Sequence, residues 1–481
     1  MDSLARDLLI DNSIKRKITI LSMLLESKNP ISIGLIATKL NITSKTLQLD
    51  IADIIANVPN NIQTTTYNNI LSVEKITNND SGITNYLNEL LLDNPLFIII
   101  ESIFHGTIKD SFYFAERLYL SESTIKNYLT ILKKVLKDYN LTLTYSPIDI
   151  VGDEINIRYF YFKYFRYAHP NASQILRNDQ YVTMLNVMKS TATEQGIKLN
   201  FDYYRLASWL TIVERRIKEN KGVHISDEIH FKYSKKDSYL KFKLAIYTHY
   251  LSRETPQRID LSESEIMFAY LTRLDAVIYE AHKSFFTDDF FDQLNKFEPL
   301  TIEFLQISNR NLSLNLETGL LFQAYLLNIS MLTELTPLFQ QIPTKLKNAI
   351  EDKHPNIINI WNSILKKHTD FNYNYDIAVN LTLLSETHIR TKRRILFVLT
   401  GESTSISYYK ELALKCVPYD MEVFFAFNTP LDNTLLEKMN IDLCIYNISP
   451  EENLTSSSLY RLSNIPLDSE WDKLLIFLHD M

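Results

Sequence analysis

From Ala37 to Ile51 the chain reads ATKLNITSKTLQLDI, and from Ala115 to Leu129 it reads AERLYLSESTIKNYL. Without a gap, and 78 residues apart, apolar residues fall at matching places: Ala37 with Ala115, Leu40 with Leu118, Ile42 with Leu120, Leu47 with Ile125, Ile51 with Leu129. Each stretch has helical spacing on both sides of a short break. A hydroxyl at the break, Thr43 or Ser121, predicts an N-cap for the second helix. A small Ala lets two helices cross closely, so each stretch predicts a helix-turn-helix. The positions that differ are expected to face outward: Lys45, Gln48 and Leu49 in one copy, Ser123, Lys126 and Asn127 in the other.

The flanks complete the pattern. An amphipathic segment, IKRKITILSMLLESK, precedes the first copy and carries Lys15, Arg16 and Lys17 near its start. After it, IQTTTYNNILSVEK places two β-rich arms around Asn68–Asn69, a pair suited to a tight hairpin. Two apolar segments, ITNYLNELLLD and PLFIIIESIFHG, precede the second copy, and LTLTYSPIDIVGDEINIRYF after it reads as strand, Pro turn, strand and a return to helix.

From 166 to 390 the period stays helical, in FDYYRLASWLTIVERRIKENK, SYLKFKLAIYTHYLSR, SESEIMFAYLTRLDAVIYEAHKSFF, ETGLLFQAYLLNISMLTELTPLF, PNIINIWNSILKKH and YDIAVNLTLLSETHIR. Two helical bundles with a boundary near Thr287 to Leu294 account for this span. The period then changes. RRILFVLTGES, MEVFFAFN and IDLCIYNIS read as strands alternating with helices TSISYYKELALKC and LDNTLLEKMN, which predicts a small parallel sheet. The expected fold is mainly α and multidomain: tandem winged helix-turn-helix domains over 1–77 and 78–165, helical domains over 166–288 and 289–392, and an α/β domain over 393–481.

Composition narrows the chemistry. A length of 481 residues predicts several domains. The start, MDSLARDLLIDNSIKRK, is acidic before it is basic and has no long apolar run, so no signal peptide is expected. The apolar run from Pro95 to Ile100 is too short to span a bilayer, and no membrane contact is expected. Cys416 and Cys444 lack metal or redox spacing, which points to a reducing cytoplasm. Eight scattered glycines include no phosphate-binding loop, and no zinc spacing or nucleophile motif occurs. No cofactor, metal or catalytic residue is expected. A net charge of −7 excludes coating nucleic acid by bulk charge but leaves a local positive face.

The expected double-stranded-DNA contacts are Lys39, Thr43, Ser44, Lys45, Thr46 and Gln48 in the first copy, and Ser121, Ser123, Thr124, Lys126, Asn127 and Lys133 in the second. Gln suits adenine in the major groove, and Lys suits guanine or phosphate. Acidic and basic residues are about balanced over the first 165 positions. Salt-sensitive, sequence-tolerant binding that rests on phosphates is therefore expected.

Tandem winged units, the second closing with IVGDEINIR (Ile150 to Arg158), and a long helical middle resemble the Mga/AtxA-type regulators of Gram-positive bacteria, the enterococcal and streptococcal Mga family included. The resemblance implies transcriptional regulation of virulence or carbohydrate-responsive genes and assembly as a dimer or higher oligomer. It implies that the helical domains are like phosphotransferase-regulation domains (PRDs), met by phosphotransferase-system phosphocarriers, and that the tail is enzyme IIB-like. Several positions depart from it. Trp209, Thr272 and Leu383 stand where phosphorylatable histidines are expected, leaving His224, His230 and His249 in the first bundle as candidates. The loop Thr400–Ser403 lacks the phosphorylated cysteine, which makes the tail a contact module. Two alternatives stand beside this reading: a phosphotransferase-system component or phosphoryl carrier, and an RNA-binding antiterminator.

Overall fold

Asp11 turns its carboxylate onto the amides of Ser13 and Ile14 and so starts the helix that carries the first basic cluster. The computed structural model describes residues 3–27, 29–67, 70–77, 79–169, 200–248, 261–278, 290–307, 316–388, 393–418, 421–439, 441–448 and 458–480. They fall into two units, Met1–Leu384 and Ser385–Met481.

The first unit begins with α1 (Ser3–Leu8), α2 (Asn12–Glu26), β1 (Ile31–Ser32), α3 (Ile33–Leu40) and α4 (Ser44–Asn57). A hairpin follows, β2 (Ile62–Tyr67) and β3 (Ile70–Lys75), and β1 joins it in the antiparallel order β1-β3-β2. Its expected tip, Asn68–Asn69, lies outside the described residues. Ile20, Leu24, Ile36, Leu47, Ile51, Ile54 and Val73 form a core of their own. The plan then repeats in α5 (Ser81–Leu92), α6 (Pro95–Phe104), α7 (Ser111–Leu118), α8 (Glu122–Lys137), β4 (Thr142–Tyr145) and β5 (Ile148–Val151). The β4–β5 turn holds a cis Ser146–Pro147 peptide.

α9 (Glu154–Lys163) leaves β5 directly and turns inward. Its aromatic run, Tyr159, Phe160, Tyr161 and Phe162, is buried in a core that runs from Leu4 to Phe339 and joins the second helix-turn-helix to the helical middle. That middle comprises β6 (Asn200–Phe201), α10 (Tyr203–Lys218), α11 (Asp227–Tyr233), α12 (Asp237–Ile246), α13 (Glu263–Thr272) and β7 (Val277–Ile278). It continues with α14 (Phe291–Asn295), α15 (Glu298–Ile307), α16 (Leu316–Thr333), α17 (Thr344–Glu351), α18 (Pro355–His368) and α19 (Asn374–His388). Trp209 stacks on Phe162 at 4.3 Å and Trp361 on Phe304 at 4.0 Å, so both tryptophans are core residues.

One helix is shorter than its pattern suggests. The stretch SESEIMFAYLTRLDAVIYEAHKSFF reads as a continuous helix, but α13 ends at Thr272 and passes through a 3-10 turn into β7. Arg205 holds both oxygens of Asp275 at 2.7 Å, and Trp209 Nε1 donates to the same carboxylate at 2.8 Å. These long-range bonds, together with the β6–β7 ladder, draw the chain out of the helix.

A buried charge network fixes the root of α9. Arg158, fully buried, donates to both oxygens of Glu265 at 2.7 and 2.8 Å and to Glu154 at 3.1 Å. Arg216 donates to Glu154 at 2.8 and 2.7 Å, and Val223 N donates to Glu265 at 2.9 Å. Two segments distant in sequence, Arg216 to Val223 and α13, are thereby tied to the exit of the second hairpin.

The second unit is doubly wound. β8 (Arg393–Leu399), α20 (Ser403–Cys416), β9 (Met421–Phe427), α21 (Asn433–Met439), β10 (Leu443–Tyr446), β11 (Ser458–Arg461) and α22 (Asp468–Asp480) build a parallel sheet in the order β11-β10-β8-β9. The expected small parallel sheet is there, with β11 and α22 added to the elements read from sequence. α20 and α22 pack on one face of the sheet. Burial raises both thiols, that of Cys444 to about 12, so at neutral pH both are protonated and unreactive. Among the described residues, no helix is long and apolar enough to cross a membrane.

Candidate nucleic-acid interface

The two helix-turn-helix copies match bond for bond. Ser32 caps α3 and Asp110 caps α7, each accepting from an amide three residues on. α3 ends on Asn41 with φ 52°, and α7 ends on Tyr119 with φ 54°. Across the turn, Ile42 N donates to Ala37 O at 3.1 Å, and Leu120 N to Ala115 O at 2.9 Å. Thr43 then accepts from Thr46 N at 3.2 Å, and Ser121 from Thr124 N at 3.0 Å. The hydroxyls of each pair also meet, at 3.0 and 2.7 Å. Ala37 and Ala115, Leu47 and Ile125, Ile51 and Leu129 are buried in each copy.

Repetition at this level sorts the expected contact residues by what each side chain does. Thr43, Thr46, Ser121 and Thr124 hold the helix starts, with Thr46 and Thr124 half-buried. Lys39, Ser44, Lys45, Gln48, Ser123, Lys126, Asn127 and Lys133 are exposed. Two of these are already engaged: Lys126 Nζ lies 2.7 Å from Glu122, and Lys133 Nζ lies 5.7 Å from the centre of the Tyr145 ring on β4. Glu122, which also accepts from Ser111 Oγ, is held below the usual carboxylate range by Lys126 and then Ser111. An acid thus stands at the tip of the second recognition helix.

The basic cluster of α2 points elsewhere. Arg16 makes a bidentate pair with buried Asp50 of α4 at 2.7 and 3.2 Å, and Lys17 reaches Asp53 at 2.5 Å. These cations orient the first recognition helix and leave its exposed side to Lys45, Gln48 and Leu49.

Sequence reading passed over Tyr119. Its side chain is 95% exposed at the turn between α7 and α8. Its backbone is left-handed, a conformation that Asn tolerates and a bulky aromatic does not. The signal was available, because the aligned residue of the first copy is Asn41. Strain at a fully exposed side chain makes Tyr119 a candidate contact residue. Tyr119→Asn is expected to raise thermal stability slightly while weakening DNA binding severalfold. Calorimetry and fluorescence anisotropy on the same samples check the pair of effects, since a purely structural tyrosine would move both in one direction.

Of the phosphorylation candidates, His224 is exposed, His230 lies with Nε2 3.3 Å from Ser264 Oγ, and His249 lies outside the described residues. Trp209 and Thr272 are buried. In the second unit, the loop after β8 is stapled from within. Thr400 N donates to Asn447 Oδ1 at 2.8 Å and Gly401 N to Asn428 Oδ1 at 3.1 Å, so these two amides are already occupied by side-chain oxygens.

Residues 79–165 match the Mga helix-turn-helix domain, and residues 16–66 match another helix-turn-helix domain family. The chain is 25% identical over 226 residues to the capsule synthesis positive regulator AcpA of Bacillus anthracis, covering 46% of each chain. It is 24% identical over 208 residues to a protein of Streptococcus pneumoniae described as a trans-acting regulator, covering 43% of this chain and 41% of that one. The matches therefore span less than half the length of either relative.

Proposed function

We propose that this chain, whose second helix-turn-helix unit belongs to the Mga family, is a transcriptional regulator that grips double-stranded DNA with both N-terminal units. One observation carries the reading: the two copies share the places of their caps, turn and buried apolar residues, while Lys45, Gln48 and Leu49 of one copy and Ser123, Lys126 and Asn127 of the other differ and are exposed. Identical scaffolding with variable outward side chains is what two recognition helices on one duplex require. Phosphate-based, sequence-tolerant binding would come from the exposed Lys39, Lys45, Lys126 and Lys133, while the acid at Glu122 and the overall negative charge oppose it and keep it weak and salt-sensitive. A random-sequence duplex titrated with the full chain should be retarded at low salt and released as salt rises. No retardation at any salt concentration removes the proposal.

Behind the DNA-binding half, the proposal assigns two PRD-like helical domains to 166–288 and 289–392, and an enzyme IIB-like domain to 393–481. His224 is the histidine a phosphocarrier would reach, and labelling with phosphoenolpyruvate and the general phosphocarriers tests that assignment. The occupied amides of Thr400 and Gly401 speak for a protein contact over a phosphoryl carrier. So do the exposed apolar residues Tyr408 and Leu414 on α20 and Ile476 and Phe477 on α22, two helices on one face of the sheet. We assign this surface to a homo-oligomer contact. Leu414→Asp with Ile476→Asp in the full chain should shift its mass toward the monomer in light scattering, and an unchanged mass would place the contact elsewhere.

A further inference from the structure

α1 precedes the first helix-turn-helix in sequence but is buried in the core of the second. Leu4, Ala5, Leu8 and Leu9 share the larger core with Ile125, Leu132 and Leu136 of α8. α1 lies against α8 itself and against the π-helical turn Tyr164–Ala168 that follows α9. In a buried bond, Asn94 Nδ2 donates to the Leu8 carbonyl at 3.0 Å, and Asn94 Oδ1 accepts from Leu96 N at the start of α6. After a joint of residues 9 to 11, α2 serves both cores. Ile18 is fully buried in the larger one with Ile14 packed against it, while Ile20, Leu21 and Leu24 fill the core of the first helix-turn-helix. From the same helix, Ser13 Oγ donates to Asp50 at 3.2 Å, and Arg16 and Lys17 pair with Asp50 and Asp53, so α4 is fixed to α2. α5 is a further attachment, since its Leu87 and Leu90 pack against both cores.

We infer that α1 and α2 lock the two helix-turn-helix units into one clamp. Leu8, Ile14 and Ile18 are then positioning residues, which deliver the first recognition helix to a duplex at a fixed offset from the second. Domains joined by a linker alone move freely against each other. Here, swinging the first unit away would draw Leu4, Leu8, Leu9 and Ile18 out of an apolar core and into water. With the offset fixed, seating one recognition helix holds the other at a high effective concentration beside the same duplex. The locking stands on the packing by itself, whereas its effect on binding rests on the DNA-binding reading.

Spin labels on Leu49→Cys and Asn127→Cys, aligned positions of the two recognition helices, read the offset directly in the full chain. Both sites are exposed, whereas Cys416 and Cys444 are buried and escape labelling. An excess of unlabelled chain keeps pairs between molecules out of the signal. One narrow distance peak is expected, and Ile10→Asp with Ile14→Asp, at half-buried joint positions, should broaden it. Leu8→Asp should do the same from within the core, and the milder pair keeps the test open if that variant unfolds. A peak as broad before the substitutions as after them, or equally narrow in both, would overturn the locking. Freeing the joint should also weaken duplex affinity by on the order of tenfold. In a chain already carrying Lys45→Ala and Gln48→Ala, the same change should cost almost nothing more. An equal loss in both backgrounds marks a general fold defect and overturns the positioning role. A narrow peak in a chain that holds no duplex contradicts the DNA-binding reading alone.

Discussion

Arg158→Ala is expected to destabilise the first unit by about 3–5 kcal/mol, because it strands a buried carboxylate. Arg158 has no exposed surface, and Glu265 is 3% exposed. Removing the guanidinium takes away both bonds to Glu265 and leaves that acid only Val223 N among the bonds described above. Glu154 keeps Arg216, so the damage centres on Glu265. Whole domains are stable by only ~5–15 kcal/mol, so the loss should be visible as a large fall in the midpoint of chemical denaturation followed by circular dichroism. The cost belongs to the orphaned charge and not to the pair itself. Arg158→Met combined with Glu265→Leu should therefore recover much of it. A single variant within about 1 kcal/mol of wild type would mean that water reaches Glu265 and the network is not a dry one.

The second large effect is on binding. Lys45→Ala, Gln48→Ala, Lys126→Ala and Asn127→Ala together are expected to weaken duplex affinity by about 3 kcal/mol, roughly a hundredfold. All four side chains are exposed, and their buried neighbours Leu47 and Ile125 are untouched. Folding should therefore stay within ~0.5 kcal/mol of wild type. Among the described residues Lys126 gives up a partner, Glu122, and an exposed pair of this kind contributes little to stability. The two substitutions in either copy alone should cost less than all four. If one copy accounts for the whole loss, the other is a structural repeat.

The helix-turn-helix units were legible in the sequence because everything that defines them is local. Caps at Thr43 and Ser121 act three residues ahead, and the buried Ala and Leu positions recur within two turns. The parallel sheet was legible for the same reason, its strands being short apolar runs between helical stretches. What stayed hidden was set by distance. Arg158 and Glu265 stand 107 residues apart, and nothing in IVGDEINIR announces that its arginine is buried. Asp275, 70 residues from Arg205, breaks a helix that its own sequence would continue. The cluster Lys15, Arg16 and Lys17 was visible as charge, but its partners Asp50 and Asp53 on α4 were not. Exposed basic residues and basic residues holding a helix in place look alike until the fold pairs them. Tyr119 is an intermediate case, since the repeat aligns it with Asn41 but only the backbone angle shows why the difference matters.

The most direct measurement is the salt dependence of duplex binding, followed by anisotropy, for the full chain and for Lys45→Ala with Lys126→Ala. If the twin helices deliver these ammonium groups to phosphates, the plot of log affinity against log salt falls steeply for the wild type. In the variant its slope is shallower by about two. Superimposable slopes would mean that neither lysine meets the backbone, and that these helices are not how the chain holds DNA.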